Sequence, residues 1–88
     1  MDRVTIYSTG RCPICEKTRQ LMTKWRIACR EVRVDQDRAG LMEMARLTNG
    51  ARTVPQIVID GKWIGSFTEL TELHMDKKLD ELVDVSAD

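Results

Sequence analysis

The chain of 88 residues has no excess of charge of either sign and no long apolar run. Fourteen Lys and Arg residues balance fourteen Asp and Glu residues, so we expect no basic surface of the kind that binds nucleic acid. No stretch approaches the roughly 20 apolar residues that a transmembrane helix requires. Met1 leads into a short strand-like segment without the apolar core of a signal peptide, and we expect none. Nucleic acid and membrane are therefore not expected partners.

Cysteine and histidine are both scarce, with three cysteines and one histidine in the chain. An odd number of cysteines in so short a chain argues against the disulfide framework of a small secreted protein. In a reducing compartment, two closely spaced cysteines are more often catalytic or metal-binding than structural. We therefore expect a cytoplasmic protein, and its cysteines are the first candidates for function.

The pattern of apolar residues predicts a single α/β domain that spans residues 1–88. The predicted strands cover residues 3–8, 30–34, 56–59 and 62–64, and the predicted helices begin near Cys12, Asp37 and Ser66. Asp60-Gly61 between the last two strands is a strong hairpin signal. The order β-α-β-α-β-β-α predicts a four-stranded mixed sheet flanked by helices, which is the thioredoxin-like arrangement.

Helical spacing also predicts which side chains of the later helices face the core. The residues predicted to face inward in the second helix are Leu41, Met44, Ala45 and Leu47. A last amphipathic turn or two is predicted around Leu79, Leu82 and Val83.

The segment Arg11-Cys12-Pro13-Ile14-Cys15 is the strongest functional signal, because it places two cysteines at a strand-to-helix junction. Proline suits the first helical position, so Cys12 would lie at a helix N-terminus, where free N–H groups favour negative charge. Arg11 adds a nearby cation and Pro13 stiffens the turn, and both are predicted to stabilise the Cys12 thiolate, the form that attacks disulfides. Cys15 lies one turn further along and is predicted to be buried, to stay protonated longer and to resolve the mixed disulfide.

A metal site is the alternative for these two cysteines, because zinc sites use the same spacing. Structural zinc usually needs four ligands, and the remaining candidates are Cys29 and His74, neither of which has finger-like spacing. We therefore predict redox chemistry and no metal at Cys12 and Cys15. Burial as a small apolar residue is expected for Cys29, and a surface position is expected for His74.

Three segments in the same order resemble those of the glutaredoxin family, and the resemblance spans residues 3 to about 83. Cys12-Pro13-Ile14-Cys15 resembles the dithiol motif of that family, which usually has tyrosine where Ile14 stands. Thr53-Val54-Pro55-Gln56-Ile57 is similar to its TVPQ segment. The stretch from Asp60 to Ser66 is similar to one that ends in IGG, with Ser66 in place of the second glycine.

The resemblance implies a cis peptide bond before Pro55 and a groove that binds glutathione as a cosubstrate, with no tightly bound cofactor. The implied glutathione-binding residues are Arg52, Thr53, Val54, Pro55, Gly65, Ser66, Thr68 and Glu69. The backbone of Val54 would pair with the cysteinyl part of glutathione, and Arg52 would bind the glycine carboxylate. Thr68 and Glu69 would hold the γ-glutamyl end.

The resemblance implies a monomeric thiol–disulfide oxidoreductase that reduces protein disulfides and glutathionylated proteins at the expense of glutathione. Thr9 stands where many family members have lysine. This difference favours a second hypothesis, an electron donor of the same fold that thioredoxin reductase regenerates. A third hypothesis is a dimer that holds an iron–sulfur cluster through Cys12 and glutathione, although in the family this goes mainly with motifs that lack Pro13.

Overall fold

The computed structural model describes residues 3–76, which form four strands and three helices in the predicted order. The strands are β1 (Val4–Ser8), β2 (Cys29–Arg33), β3 (Gln56–Ile59) and β4 (Lys62–Gly65), and the helices are α1 (Pro13–Lys24), α2 (Arg38–Leu47) and α3 (Phe67–Met75). No helix in this part of the chain is long and apolar enough to cross a membrane. The turn predicted around Leu79, Leu82 and Val83 lies outside the described residues.

The four strands form one mixed sheet in the order β2-β1-β3-β4. β1 pairs in parallel with β2, and the crossover that a parallel pair needs contains α1. β1 pairs antiparallel with β3, and β3 pairs antiparallel with β4. The predicted fold class, a thioredoxin-like α/β fold with a four-stranded mixed sheet, is therefore confirmed.

The turn between β3 and β4 follows the sequence signal closely. Asp60 and Gly61 have φ angles of 53° and 80°. Positive φ at both central residues is the requirement of a type I′ turn, whose twist matches that of the two flanking strands.

Side chains from both faces of the sheet are buried, because helices cover both faces. On one face, Ile6 and Ile57 pack with Met22 of α1 and Leu70 of α3. The residues of the core on the other face are Tyr7, Val32, Met44 and Val58. Successive residues of a strand point to opposite faces, so β1 contributes to both cores.

The inward face of α2 differs from the predicted one. Leu41 and Ala45 were predicted to face the core but are exposed, Leu41 to 44%. Gly40 and Thr48 are buried in their place. A Cβ atom on Gly40 would lie only 2.3 Å from Cγ1 of Val32. The helix therefore approaches β2 most closely at a residue without a side chain, which hydrophobic spacing does not reveal.

We expect Gly40→Val to lower the free energy of unfolding by about 1–3 kcal/mol, because the added methyl groups would overlap the stiff side chain of Val32. The measurement is urea denaturation. Ala45→Val on the exposed side of the same helix is the control, and its effect should stay within about 0.7 kcal/mol, the range of helix propensity. Equal losses in the two variants would contradict the close packing.

Candidate active site

Three segments predicted to carry function meet at one end of the sheet, where strands finish or begin. β1 ends just before Cys12–Cys15, β3 begins just after Val54-Pro55, and β4 ends at Gly65. The residue pairs that align these strand ends are Tyr7 with Gln56 and Ile57 with Gly65. Because β3 runs opposite to both of its neighbours, its start lies beside the ends of β1 and β4.

Cys12 is the N-cap residue of α1, and its backbone is extended. The backbone N–H of Cys15 donates to Sγ of Cys12 over 3.1 Å. Pro13 occupies the first turn of the helix, where a missing N–H leaves no hydrogen bond unmade. The sulfur therefore takes the place of a capping oxygen, and an N–H donor aimed at it binds a thiolate better than a thiol.

Cys15 is fully buried, whereas Cys12 is partly exposed, and this difference in burial is the predicted one. Burial raises the pKa of the Cys15 thiol to about 12, the neighbouring Cys12 sulfur raises it as well, and a backbone hydrogen bond from Thr9 opposes the change. The Cys15 thiol is therefore protonated at neutral pH. The two sulfur atoms are adjacent but chemically unequal.

Val54-Pro55 is a cis peptide bond, as the family resemblance implies. The carbonyl oxygen of Val54 lies 3.9 Å from Sγ of Cys12. The backbone of this loop therefore borders the partly exposed sulfur.

The junction between β4 and α3 is closed by the predicted capping box. Oε1 of Glu69 accepts a hydrogen bond from the Ser66 N–H over 2.7 Å and another from the Ser66 hydroxyl over 3.1 Å. These two donors lower the pKa of Glu69. Gly65 has a φ of +129°, and a Cβ atom there would lie 2.5 Å from the same carboxylate oxygen, so only glycine fits.

Arg11, Arg52 and Thr68 are exposed at this end of the molecule. Within residues 3–76, neither arginine makes a side-chain hydrogen bond or an ion pair. Arg11 lines a cavity of about 340 Å³ beside the nucleophile candidate, together with Gly10, Cys12, Pro13, Glu16 and Arg19. The role of Arg11 in stabilising a thiolate stays a prediction.

The loop before Cys12 is tied to the end of β2 by a contact that the sequence pattern did not predict. Oδ2 of Asp35 accepts from the backbone N–H of Gly10 over 3.0 Å and from Nη2 of Arg33 over 2.9 Å. The Arg33 guanidinium and the Gly10 N–H lower the pKa of Asp35 to about 2. Gly10 and Asp35 are 25 positions apart, so only the pairing of β1 with β2 brings them together.

A second polar network lies under the motif. The buried hydroxyl of Ser8 donates to Oε2 of Glu31 over 2.6 Å. The guanidinium of Arg19 bonds to both Glu31 and Glu16. These contacts fasten α1 to the two strands beneath it, and only the three-residue spacing of Glu16 and Arg19 could have been noticed in the sequence.

The remaining candidates for metal binding are engaged elsewhere. The ring of His74 stacks on that of Trp25, with the centroids 3.9 Å apart. Cys29 begins β2 and is partly buried against the core. In the part of the chain that the structure describes, no group of three or more His, Cys, Asp or Glu residues could hold a metal ion.

The fold and the cysteine pair define a thioredoxin-fold protein with a dithiol at the start of its first helix. The family model for glutaredoxin matches residues 4–64. A glutaredoxin of Neisseria meningitidis serogroup A is 36% identical over 84 residues, which cover 94% of this chain and 98% of that protein. Glutaredoxin 3 of Escherichia coli K12 is 34% identical over 83 residues, which cover 94% of this chain and 99% of that protein.

A solved structure agrees with these relatives. The buckwheat glutaredoxin–glutathione complex superposes with a TM-score of 0.81 at 28% identity and covers 93% of this chain and 76% of that one. The chain therefore belongs to the glutaredoxin family, and it is a thiol–disulfide oxidoreductase.

The unequal cysteines predict selective alkylation. When the reduced Cys29→Ser protein is treated with limiting iodoacetamide at pH 7, we expect label at Cys12 to exceed label at Cys15 by roughly tenfold or more. The physical reason is that only a thiolate reacts, and Cys15 is both buried and protonated. Both cysteines lie in the tryptic peptide 12–17, so fragment ions of that peptide locate the label and measure the ratio. Equal labelling would contradict the assignment.

Proposed function

We propose that this protein uses glutathione to reduce glutathionylated proteins and protein disulfides, with Cys12 as the nucleophile and Cys15 as the resolving cysteine. The observation that carries the proposal is the environment of the Cys12 sulfur. It lies 3.1 Å from the backbone N–H of Cys15 and 3.9 Å from the carbonyl oxygen of Val54. The partly exposed sulfur thus borders a stretch of backbone that can align a peptide-like disulfide.

In the first reaction, the Cys12 thiolate attacks the glutathione sulfur of a glutathionylated protein. The substrate S–S bond breaks, its electron pair leaves with the protein sulfur, and that thiolate takes up a proton. A second glutathione thiolate then attacks the glutathione sulfur held on Cys12. Glutathione disulfide leaves, and the Cys12 thiolate is restored.

With a protein disulfide, the mixed disulfide joins Cys12 to the substrate, and Cys15 must resolve it. The Cys15 thiol gives up its proton, attacks the Cys12 sulfur and releases the second substrate thiol. Two glutathione molecules then reduce the Cys12–Cys15 disulfide.

The proposed glutathione site lies at the end of the sheet where β3 begins and β4 ends. Thr53, Val54 and Pro55 would line the cysteinyl part, and the Val54 backbone would pair with it. The exposed guanidinium of Arg52 would bind the glycine carboxylate in bidentate fashion. The buckwheat glutaredoxin, which was solved with glutathione, supports glutathione as the ligand.

The start of α3 is the proposed site for the γ-glutamyl end. The N–H of Ser66 already donates to Glu69, so the next N–H groups, those of Phe67 and Thr68, would receive the carboxylate. The Glu69 carboxylate would face the ammonium group. Gly65 allows the close approach of Glu69 on which this arrangement depends.

We further propose that residues 1–88 act as one domain and as a monomer in the cytoplasm. A reaction that consumes glutathione at every turnover requires a compartment where reduced glutathione is regenerated. The single sheet, with a core on each face, supports a domain that folds as one unit.

The two cysteines should differ in their effect on turnover of a glutathionylated peptide. Cys12→Ser is expected to abolish activity, because it removes the attacking sulfur, whereas Cys15→Ser should retain it, because resolution by glutathione needs only Cys12. The assay follows glutathione disulfide through glutathione reductase and NADPH. Equal activity in both variants would refute the assigned roles.

Reduction of the oxidised protein by thioredoxin reductase and not by glutathione would favour the second hypothesis, an electron donor of the same fold that thioredoxin reductase regenerates.

Arg52→Ala should raise KM for glutathione about tenfold, because a bidentate charge-assisted bond contributes roughly 1.5–3 kcal/mol when well formed and less at an exposed site. kcat should change little, because Arg52 would hold the glycine carboxylate equally in the bound state and in the transition state. Arg46→Ala, which removes another exposed arginine from α2, is the matched control. A similar rise in both variants would show that only general charge matters.

A further inference from the structure

The side chain of Gln56 is almost fully buried, at 4% exposure, and the reaction described above does not use it. Its Nε2 donates to the carbonyl oxygen of Thr53 over 3.0 Å and to the Thr53 hydroxyl oxygen over 3.1 Å. Its Oε1 accepts from Nε1–H of Trp63 over 2.9 Å. One amide therefore connects the edge strand β4 to the loop before β3.

The loop that this amide holds is the one beside the reactive sulfur. Gln56 bonds across a turn to Thr53, and the two residues between them are Val54 and Pro55. The Val54 carbonyl lies 3.9 Å from Sγ of Cys12. Because the Thr53 carbonyl belongs to the peptide unit that carries the Val54 N–H, its bond to Gln56 sets the direction of that N–H.

Trp63 determines which way the amide of Gln56 points. If the amide were reversed, its oxygen would face the Thr53 carbonyl and its NH₂ would face the indole N–H, so both contacts would be repulsive. The indole is 44% exposed on an edge strand, yet its N–H is committed to this one acceptor. The exposed side chain of Trp63 thus acts on the loop through the buried side chain of Gln56.

We propose that Gln56 and Trp63 are positioning residues that hold the Val54 backbone in the orientation that pairs with the substrate. This inference rests on the proposed function, because it takes the Val54 backbone as the binding site for the cysteinyl part of the substrate. Neither residue contacts the reacting atoms. They act through Thr53 on the backbone of Val54.

The consequence is a specific kinetic pattern. Backbone pairing at Val54 is present in the bound substrate and in the transition state alike, so its loss raises KM and leaves kcat largely unchanged. The reactivity of Cys12 toward small reagents should change little, because its closer contact is the N–H of Cys15 in α1 at 3.1 Å, whereas the Val54 carbonyl lies 3.9 Å away.

The experiment compares Gln56→Met, Trp63→Phe and their double variant with the wild type. Gln56→Met keeps the approximate size of the side chain, Trp63→Phe keeps a smaller aromatic ring, and both remove the hydrogen-bonding groups. Trp25→Phe, at the second tryptophan, which stacks on His74, is the matched control. The substrates are a glutathionylated peptide, which has amide groups to pair with Val54, and 2,2′-dithiodipyridine, which has none.

Gln56→Met removes three hydrogen bonds and Trp63→Phe removes one. We expect KM for the glutathionylated peptide to rise between about threefold and tenfold in each single variant, because the substrate loses part of one or two neutral hydrogen bonds to the displaced Val54 backbone. The double variant should resemble Gln56→Met, because both residues act through the same amide. Rates with 2,2′-dithiodipyridine and with iodoacetamide should stay within about twofold of wild type. Trp25→Phe should match wild type throughout.

Each alternative outcome has a distinct meaning. Unchanged KM in both single variants, with an active wild type, would overturn the inference and leave the proposed function standing. Parallel loss of reactivity toward iodoacetamide would show a general structural role and would also overturn it. A wild type that fails to turn over the glutathionylated peptide would refute the proposed function and this inference together.

Discussion

The antiparallel pairing of β1 with β3 is the constraint on which the site depends. It places the end of β1, and hence the cap of α1 at Cys12, beside the start of β3 and the loop that contains Val54. A one-residue slip would move every side chain of the slipped strand to the opposite face of the sheet. The cores on both sides of the sheet prevent such a slip, so packing far from the sulfur determines what lies next to it.

Two cysteines of one helical turn differ because their surroundings differ. The sulfur of Cys12 lies at the partly exposed helix start and receives a backbone N–H, whereas that of Cys15 lies in the core. Burial keeps the second thiol protonated. The fold thereby makes the two thiols chemically unequal, and the proposed roles of Cys12 and Cys15 depend on this difference.

The loops around the candidate active site are held by side chains that bind backbone groups. Asp35 holds the N–H of Gly10 before the dithiol, Gln56 holds the carbonyl of Thr53, and Glu69 holds the N–H of Ser66. Loops have few backbone partners of their own, so these side chains supply the missing hydrogen bonds. The loops at Gly10, Thr53 and Ser66 are thereby held in place around the Cys12 sulfur.

Features encoded within a few residues could be predicted from the sequence alone: the cap at Cys12, the turn at Asp60-Gly61 and the capping box of Ser66 and Glu69. Their partners lie within four positions, so local preference decides them. The inward face of α2 could not be predicted, because the contact of Gly40 with Val32 depends on how helix and sheet approach each other. The hydrogen bonds of Asp35 with Gly10 and of Trp63 with Gln56 join different strands and loops. Only the tertiary structure decides these, because strand order and register bring their atoms within hydrogen-bonding distance.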